Sequence, residues 1–442
     1  MNSISATDKQ YFSSLKREHK EAIGLLSIGT FLEYFDLMLY VHMAVLLNEL
    51  FFPKTDPHTE QLLAALAFCS TYFMRPIGAL IFGYIGDNIG RKATVIITTF
   101  IMALSCIVMA TLPTYAQIGI AATWIVTICR IMQGMASMGE IIGADIYLTE
   151  VTKPPVQYPA VGIITIASVL GTSAALGIAT FVTLDGLDWR IAFWIGAIVA
   201  LVGTVARNSL RETPEFADAR RRIRNVSKEI NQDVTLKGDH LYKARSPIVA
   251  AFALFLVQCG YPVCFYLGYI HCGNILKQKF NFTAAEVIQQ NLVISLISLT
   301  IMIFIAFLSY RISPIKIIKF RALGFFIFTI FSSYLLDNAS SSFDIMLVQI
   351  YVMLFFLAGF PAIPVFYRNF PVFHRFTYGA MAYALSRSIM SAVASFGLVY
   401  LVSELGNVGS LFLLLPVLTG FWFGVRYFEK LEKERVASYN IF

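Results

Sequence analysis

The chain has 442 residues, 57% of them hydrophobic and only 14% charged, with a mean hydropathy of +0.69. A soluble domain carries about 25% charged residues, so the composition excludes an ordinary soluble enzyme and points to an all-α protein that crosses a lipid bilayer many times. The net charge of +7 is spread over many short polar segments, which argues against nucleic acid as a partner.

Twelve apolar spans are predicted in chain order. The first half holds 22–47, 62–86, 94–112, 118–147, 158–183 and 190–208. The second holds 248–272, 287–309, 317–336, 343–367, 377–402 and 408–428. The longest polar segment lies between the halves and carries the basic run Arg220, Arg221, Arg222 and Arg224. The expected organisation is therefore an N-terminal six-helix bundle (1–208), a linker (209–246) and a C-terminal six-helix bundle (247–442) with a short tail, as in duplicated, pseudo-symmetric transporter architectures. The six cysteines, Cys69, Cys106, Cys129, Cys259, Cys264 and Cys272, fall in or at the ends of apolar runs without metal-ligand spacing and read as reduced core residues. The first twenty residues are polar and mixed in charge, unlike a cleaved signal peptide.

Lys and Arg are distributed unevenly. Of the 34, 26 fall in the N-terminus, the even-to-odd connections and the C-terminus, 4 in the opposite connections, and 4 within or at the ends of spans. The positive-inside rule then places both termini and the central linker in the cytoplasm.

Charges inside spans are costly and face a cavity or a partner. The first span carries Glu33 and Asp36, three apart on one face, with Tyr40 a turn further; the fourth carries Arg130, Gln133, Ser137 and Glu140 at helical spacing. Two readings stand: a static buried ion pair that sets packing, or a relay in which conformation changes the proton affinity of an acid. Arg387, about ten residues into the eleventh span, is a partner for a neighbouring helix or a fork for an anionic substrate. Asp145 lies five residues after Glu140 and on another face. Tyr261, Tyr266 and Tyr269 give the seventh span an aromatic face, Pro262 is a candidate bend there, and Pro361 and Pro364 interrupt the tenth.

Arg75–Lys92 reads RPIGALIFGYIGDNIGRK, an apolar run ending in a short charged turn. Gly78 and Gly83 form a small-residue face for a neighbouring helix. Gly90 permits a backbone shape that other residues resist. Asp87 can cap the helix that follows, and Arg91 and Lys92 sit at the membrane surface.

This stretch resembles the turn between the second and third helices of major facilitator superfamily transporters, and its R-P-I-G opening is similar to their metabolite:proton symporter branch. G-T-F-L-E-Y-F-D-L (Gly29–Leu37), R-I-M-Q-G-M-A-S-M-G-E (Arg130–Glu140), W-R-I-A-F (Trp189–Phe193) and R-E-T-P-E-F (Arg211–Phe216) resemble further motifs of that branch, nearly all in the N-terminal half. The resemblance implies twelve helices and alternating access around a central cavity lined by helices 1, 4, 7 and 10. It further implies Glu33, Asp36 and Arg130 at or near that cavity, and Asp87, Gly90, Arg91 and Lys92 as a gating latch between the halves. The related turn of the second half, Leu308–Lys316, departs from the pattern: Tyr310 stands where Asp is expected, and Ser313 and Pro314 replace Gly and Arg. The latch is expected to be one-sided. Ala384–Val402 lacks the Asn and Pro of relatives, and the tail Glu429–Phe442 is too short for a coiled coil.

The function this implies is secondary active, proton-coupled uptake of a small carboxylate or zwitterion in a bacterial inner membrane, by a monomer. The proton gradient drives it and no bound cofactor is expected. A proton-coupled exporter and a non-transporting sensor are the alternatives. No metal cluster, nucleophile elbow or phosphate loop suggests an enzyme.

Overall fold

The computed structural model describes residues 17–52, 72–185, 188–207 and 247–439. Cys69, the linker 209–246 and the ends of the chain lie outside the described residues, as do the side chains of Tyr40, Arg91 and Glu140.

The first half contains α1 (Arg17–Phe51), α2 (Arg75–Asn88), α3 (Arg91–Thr111), α4 (Ile120–Val151), α5 (Gln157–Asp185) and α6 (Arg190–Arg207). The second half opens with α7, built from Pro247–Gln258, Gly260–Phe265, a π-helical turn Tyr266–His271, and Cys272–Phe280. It continues with α8 (Ala284–Arg311), α9 (Pro314–Asp337), α10 (Ser342–Leu354, then Ile363–Tyr367 after a non-helical stretch), α11 (Arg375–Leu405) and α12 (Gly409–Tyr439). Seven stretches of the described residues are long and apolar enough to cross a membrane, the last covering both α11 and α12.

Local chemistry fixes the ends. Asn281 stops α7 in the left-handed conformation at φ 55°. Capping boxes start α8 (Thr283 with Glu286) and α10 (Ser341 with Asp344). Pro314 occupies the first turn of α9, where its missing N–H costs nothing.

The two halves pack alike. In the first, α1 lies against α5 and α6, α3 against α6, and α2 against α4; in the second, α7 lies against α11 and α12, α9 against α12, and α8 against α10. The halves meet through α2 with α11 and α5 with α8, again a matched pair. In a bilayer helices gain little from apolar burial against one another, so close backbone approach carries the packing. Gly78 illustrates this: a Cβ there would stand 2.5 Å from the Met135 carbonyl oxygen of α4.

Several spans differ from expectation. α7 runs to Phe280 rather than 272, because its π turn and break shift register without ending the helix. α12 continues to Tyr439, so much of the predicted tail is helix. The tenth span, predicted as one stretch with two prolines, breaks after Leu354.

Each break frees carbonyls that a membrane cannot hydrate, and a polar side chain from another helix meets them. Arg387 Nη1 donates to Gln258 O at 2.9 Å. Gln349 Nε2 donates to Gly268 O, within the π turn, at 2.7 Å. Arg321 Nε donates to Leu354 O at 3.1 Å, and its other nitrogens reach Phe360 O and Met353 O at 3.4 and 3.5 Å. Sequence reading counts Arg321 as a loop charge; it lies buried inside α9 at 3% exposure. The charge asymmetry therefore loses one of its 26 residues and keeps its sign.

Candidate functional site

A cavity of about 100 Å³ lies between the halves, with walls from α1, α4, α5, α7, α8, α10 and α11. One water needs about 10–15 Å³ by this measure, so the space suits a compact solute. Its polar lining includes Tyr34, Thr165, Ser168, Gln258, Asp145 and Arg387. A second cavity of about 30 Å³ lies beyond it, lined by Leu37, Tyr72, Arg75, Tyr266 and Ser391 among others. Tyr34, Tyr261, Phe265, Tyr383 and Arg387 face both cavities and form the layer that separates them.

Arg387 is the centre of that layer. Its guanidinium carbon lies 4.1 Å from the Tyr261 ring centroid and 4.4 Å from that of Tyr383. A planar cation between two aromatic faces is held by their quadrupoles and by the hydrogen bond to Gln258. Tyr383 in turn shares a 3.2 Å hydroxyl contact with Tyr34, joining α11 to α1 across the two halves. Of the aromatic face predicted in α7, Tyr261 and Tyr269 line the larger cavity; Tyr266 lines the smaller one and points its hydroxyl to Ser395 O at 3.5 Å.

The other predicted polar residues gather elsewhere. Glu33, Asp36, Arg130 and Gln133 are all buried, yet none lines either cavity. They occupy the interior of the first half. Arg130 Nη1 donates to Gln133 Oε1 at 2.9 Å and lies within electrostatic reach of Asp36. Cys106 Sγ of α3 donates to Asp36 Oδ1 at 3.3 Å. Helical spacing puts Glu33 with Asp36 on one face of α1 and Arg130 with Gln133 on one face of α4, and these faces turn into the bundle rather than toward the cavity. Asp145, on the other face of α4, is the carboxylate that reaches the cavity.

At the α2–α3 end the halves are joined by a set of polar contacts. Gly90 takes φ 144°, open to glycine and strained for other residues, and carries the chain from α2 into α3. Gly90, the N-cap of α3, has no side chain to offer that helix. Asp87 reaches α11, in the opposite half: Oδ1 accepts from Phe376 N at 3.2 Å, and Oδ2 accepts from Thr377 N at 2.9 Å and Thr377 Oγ1 at 2.7 Å. A carboxylate at a helix N-terminus satisfies orphan N–H groups and meets the positive end of the dipole. Beside it, Phe376 is fully buried against Gly86, where a Cβ would stand 2.5 Å from the ring. Arg375 Nη1 donates to Glu150 Oε1 at 3.0 Å, a buried ion pair between α11 and α4. Arg368 bonds Glu432 of α12 and reaches Tyr158 of α5 at 3.5 Å. Lys92 is half-buried in the first turn of α3.

Tyr34, Arg321, Arg375 and Gln349 were not singled out from sequence. Arg375 follows a polar connection and reads as a loop charge, and a lone Tyr or Gln in an apolar span carries no signal of what it faces. Arg387, by contrast, is marked by its charge inside an apolar span.

Two matched six-helix halves enclosing a polar central cavity, in a chain of membrane-spanning helices, define a multi-pass membrane transporter. The Major Facilitator Superfamily profile matches residues 26–395. The chain belongs to that superfamily, and it is not an enzyme. Among curated relatives, the proline/betaine transporter of Escherichia coli (strain K12) is 32% identical over 221 residues, 48% of this chain and 44% of that protein. A Staphylococcus aureus (strain MSSA476) protein, named provisionally as a proline/betaine transporter, is 27% identical over 357 residues, 78% of this chain and 74% of that one. Among solved structures, a proton:xylose symporter bound to 6-bromo-6-deoxy-D-glucose aligns with a TM-score of 0.74 at 15% identity, covering 96% of both chains. That likeness shows the shared fold.

Proposed function

We propose that this transporter takes up a small carboxylate or zwitterionic metabolite, coupled to protons, by alternating access between an N-terminal bundle (1–208) and a C-terminal bundle (247–442). The observation that carries the reading is the central cavity, which holds a caged arginine and a buried carboxylate, between halves that Asp87 ties together at the α2–α3 end. The names of the proline/betaine relatives support the same solute class.

In this reading both termini and the linker face the cytoplasm of a bacterial inner membrane, on the strength of the Lys and Arg asymmetry. Asp87, Gly90, Arg91 and Lys92 form the cytoplasmic latch, and the arrangement described above is the cytoplasmically closed state. Glu33 or Asp36 carries the coupled proton, tuned by Arg130, with Tyr40, Gln133 and Glu140 as neighbours on the same faces. Because this group sits behind the cavity wall, coupling runs through helix position rather than through contact with substrate. The protein works as a monomer, with the proton gradient as its energy source.

The test is uptake into proteoliposomes with an imposed proton gradient, against a panel of carboxylates and zwitterions. Gradient-dependent accumulation of one of them is expected; solute movement that ignores the gradient overturns proton coupling. Glu33→Gln and Asp36→Asn sharpen it. A folded variant that exchanges substrate but cannot concentrate it supports the relay, and full accumulation by both removes it. Cysteines placed at Ser3 and Ser438 should resist impermeant labelling in intact cells; efficient labelling of either sinks the topology.

A further inference from the structure

The central cavity contains one feature that the proposed uptake does not by itself explain. Asp145 of α4 is 4% exposed and lines the cavity, and among the described residues no donor reaches its Oδ1. Arg387 of α11, 5% exposed, faces the same space; its Nη1 is bound to Gln258, and among the described residues no acceptor reaches its Nε. A buried carboxylate and a buried guanidinium thus belong to opposite halves and to one cavity, each with polar capacity left unfilled. Leaving such groups unfilled in a low-dielectric interior is costly.

A lone anion would pair with Arg387 and leave Asp145 facing an added negative charge. A lone cation would do the reverse. A zwitterion fills both at once. The walls suit the cationic end as well: Phe265, Tyr269, Phe356 and Phe360 line the cavity alongside Asp145, and aromatic faces bind alkylated ammonium groups. Tyr261 and Tyr383 are already occupied by Arg387.

We infer that Asp145 and Arg387 are the two poles of a zwitterion-binding site, Asp145 holding the ammonium and Arg387 the carboxylate. The inference rests on the proposed uptake reading and selects the zwitterion from the two solute classes named there. Asp145 is then the residue that sets specificity. Because its partner pole is on the other half, a bound zwitterion spans the two bundles.

The experiment is calorimetric titration of the detergent-purified full chain with matched probes and no proton gradient. Glycine betaine is compared with 3,3-dimethylbutyrate, and L-proline with cyclopentanecarboxylate; each pair shares shape and carboxylate, and only the first member carries the cation. The wild-type protein should prefer one of the zwitterions over its match by at least about tenfold. Asp145→Asn should abolish the preference by weakening the zwitterion alone, while Asp145→Glu retains it. Arg387→Lys, which keeps a cation near Gln258, should weaken both members of the pair. Equal binding within each pair, a preference that survives Asp145→Asn, or no binding of any probe overturns the assignment. Failure of the uptake reading looks different: a protein that binds with this preference yet ignores a proton gradient loses the coupling and keeps the poles. Gradient-driven uptake of some other solute with no probe binding loses the poles and keeps the transport.

Discussion

The turn after α2 and the turn after α8 occupy matching places in the two halves, and they do different work. In the first, Asp87 reaches out of its own half and takes three hydrogen bonds from the start of α11. In the second, residues 308–316 contain no carboxylate at all; Ser313 begins α9 without capping it, and Pro314 simply starts the next helix. Pseudo-symmetry therefore fixes where a turn sits but not whether it grips the other half. That depends on one acidic side chain and on a helix N-terminus within its reach.

The two halves differ in a second way. The described helices of the first are continuous through the core, whereas α7 and α10 of the second are broken next to the cavity and held by Arg387, Gln349 and Arg321. The breaks at α7 and α10 thus lie in the same half.

The contrast between the turns can be broken by substitution, beginning with the ion pair beside Asp87. Glu150→Gln or Arg375→Gln breaks a buried ion pair between the halves and should lower stability by up to about 3–5 kcal/mol, seen as a lower Tm in detergent. The double change Glu150→Leu with Arg375→Met should recover most of that loss; a double variant as unstable as the sum of the singles would mean the two residues act separately.

Asp87→Asn comes next. It removes charge-assisted bonds worth about 1.5–3 kcal/mol and leaves an amide that still accepts one. Uptake should fall at least about tenfold while the protein elutes and melts as the folded wild type does. Normal uptake across a full range of proton gradients would place the first turn on a level with the second.

A finer cut is Thr377→Val. It removes the 2.7 Å bond to Asp87 and keeps the two backbone bonds, so a loss of about 1 kcal/mol in Tm-derived stability and a few-fold drop in rate are expected. If Thr377→Val matches Asp87→Asn, the hydroxyl rather than the helix N-terminus carries the joint. The smallest effect belongs to the other turn: Ser313→Ala should change stability by less than about 0.5 kcal/mol and leave uptake unchanged, since the exposed Ser313 side chain makes no cap. A clear loss there would show that the second turn also works.

Much of this molecule was legible before any coordinates. Apolar runs place the spans; the glycines of α2, read as one face for one neighbour, are both close-approach sites but serve two helices, Gly78 meeting Met135 of α4 and Gly83 meeting Thr377 of α11. Interior charges were read as important, and Arg387 does face the cavity. For Asp87 the sequence points to capping chemistry, and the structure adds α11 of the opposite half as a helix whose N–H groups it accepts from. Glu33 and Asp36 share a face of α1, and Arg130 and Gln133 a face of α4, as their spacing requires, but spacing is silent on which way a face turns, and none of the four lines the cavity.

What the sequence alone determined is what depends on neighbours within about one membrane thickness of chain. Hydropathy is summed over some twenty residues, a capping box spans four, and a glycine turn spans one, so spans, helix starts and the Gly90 turn are local properties. What only the tertiary structure decided are pairings between distant segments. Asp87 and Phe376 lie 289 positions apart, and Tyr34 and Tyr383 lie 349 apart. The carbonyls freed at Gln258 and Leu354 find their arginines on other helices. In a bilayer every such group must find a protein partner, because water is absent to take its place. The pattern of charges can thus announce that partners exist, and only the packing of helices names them.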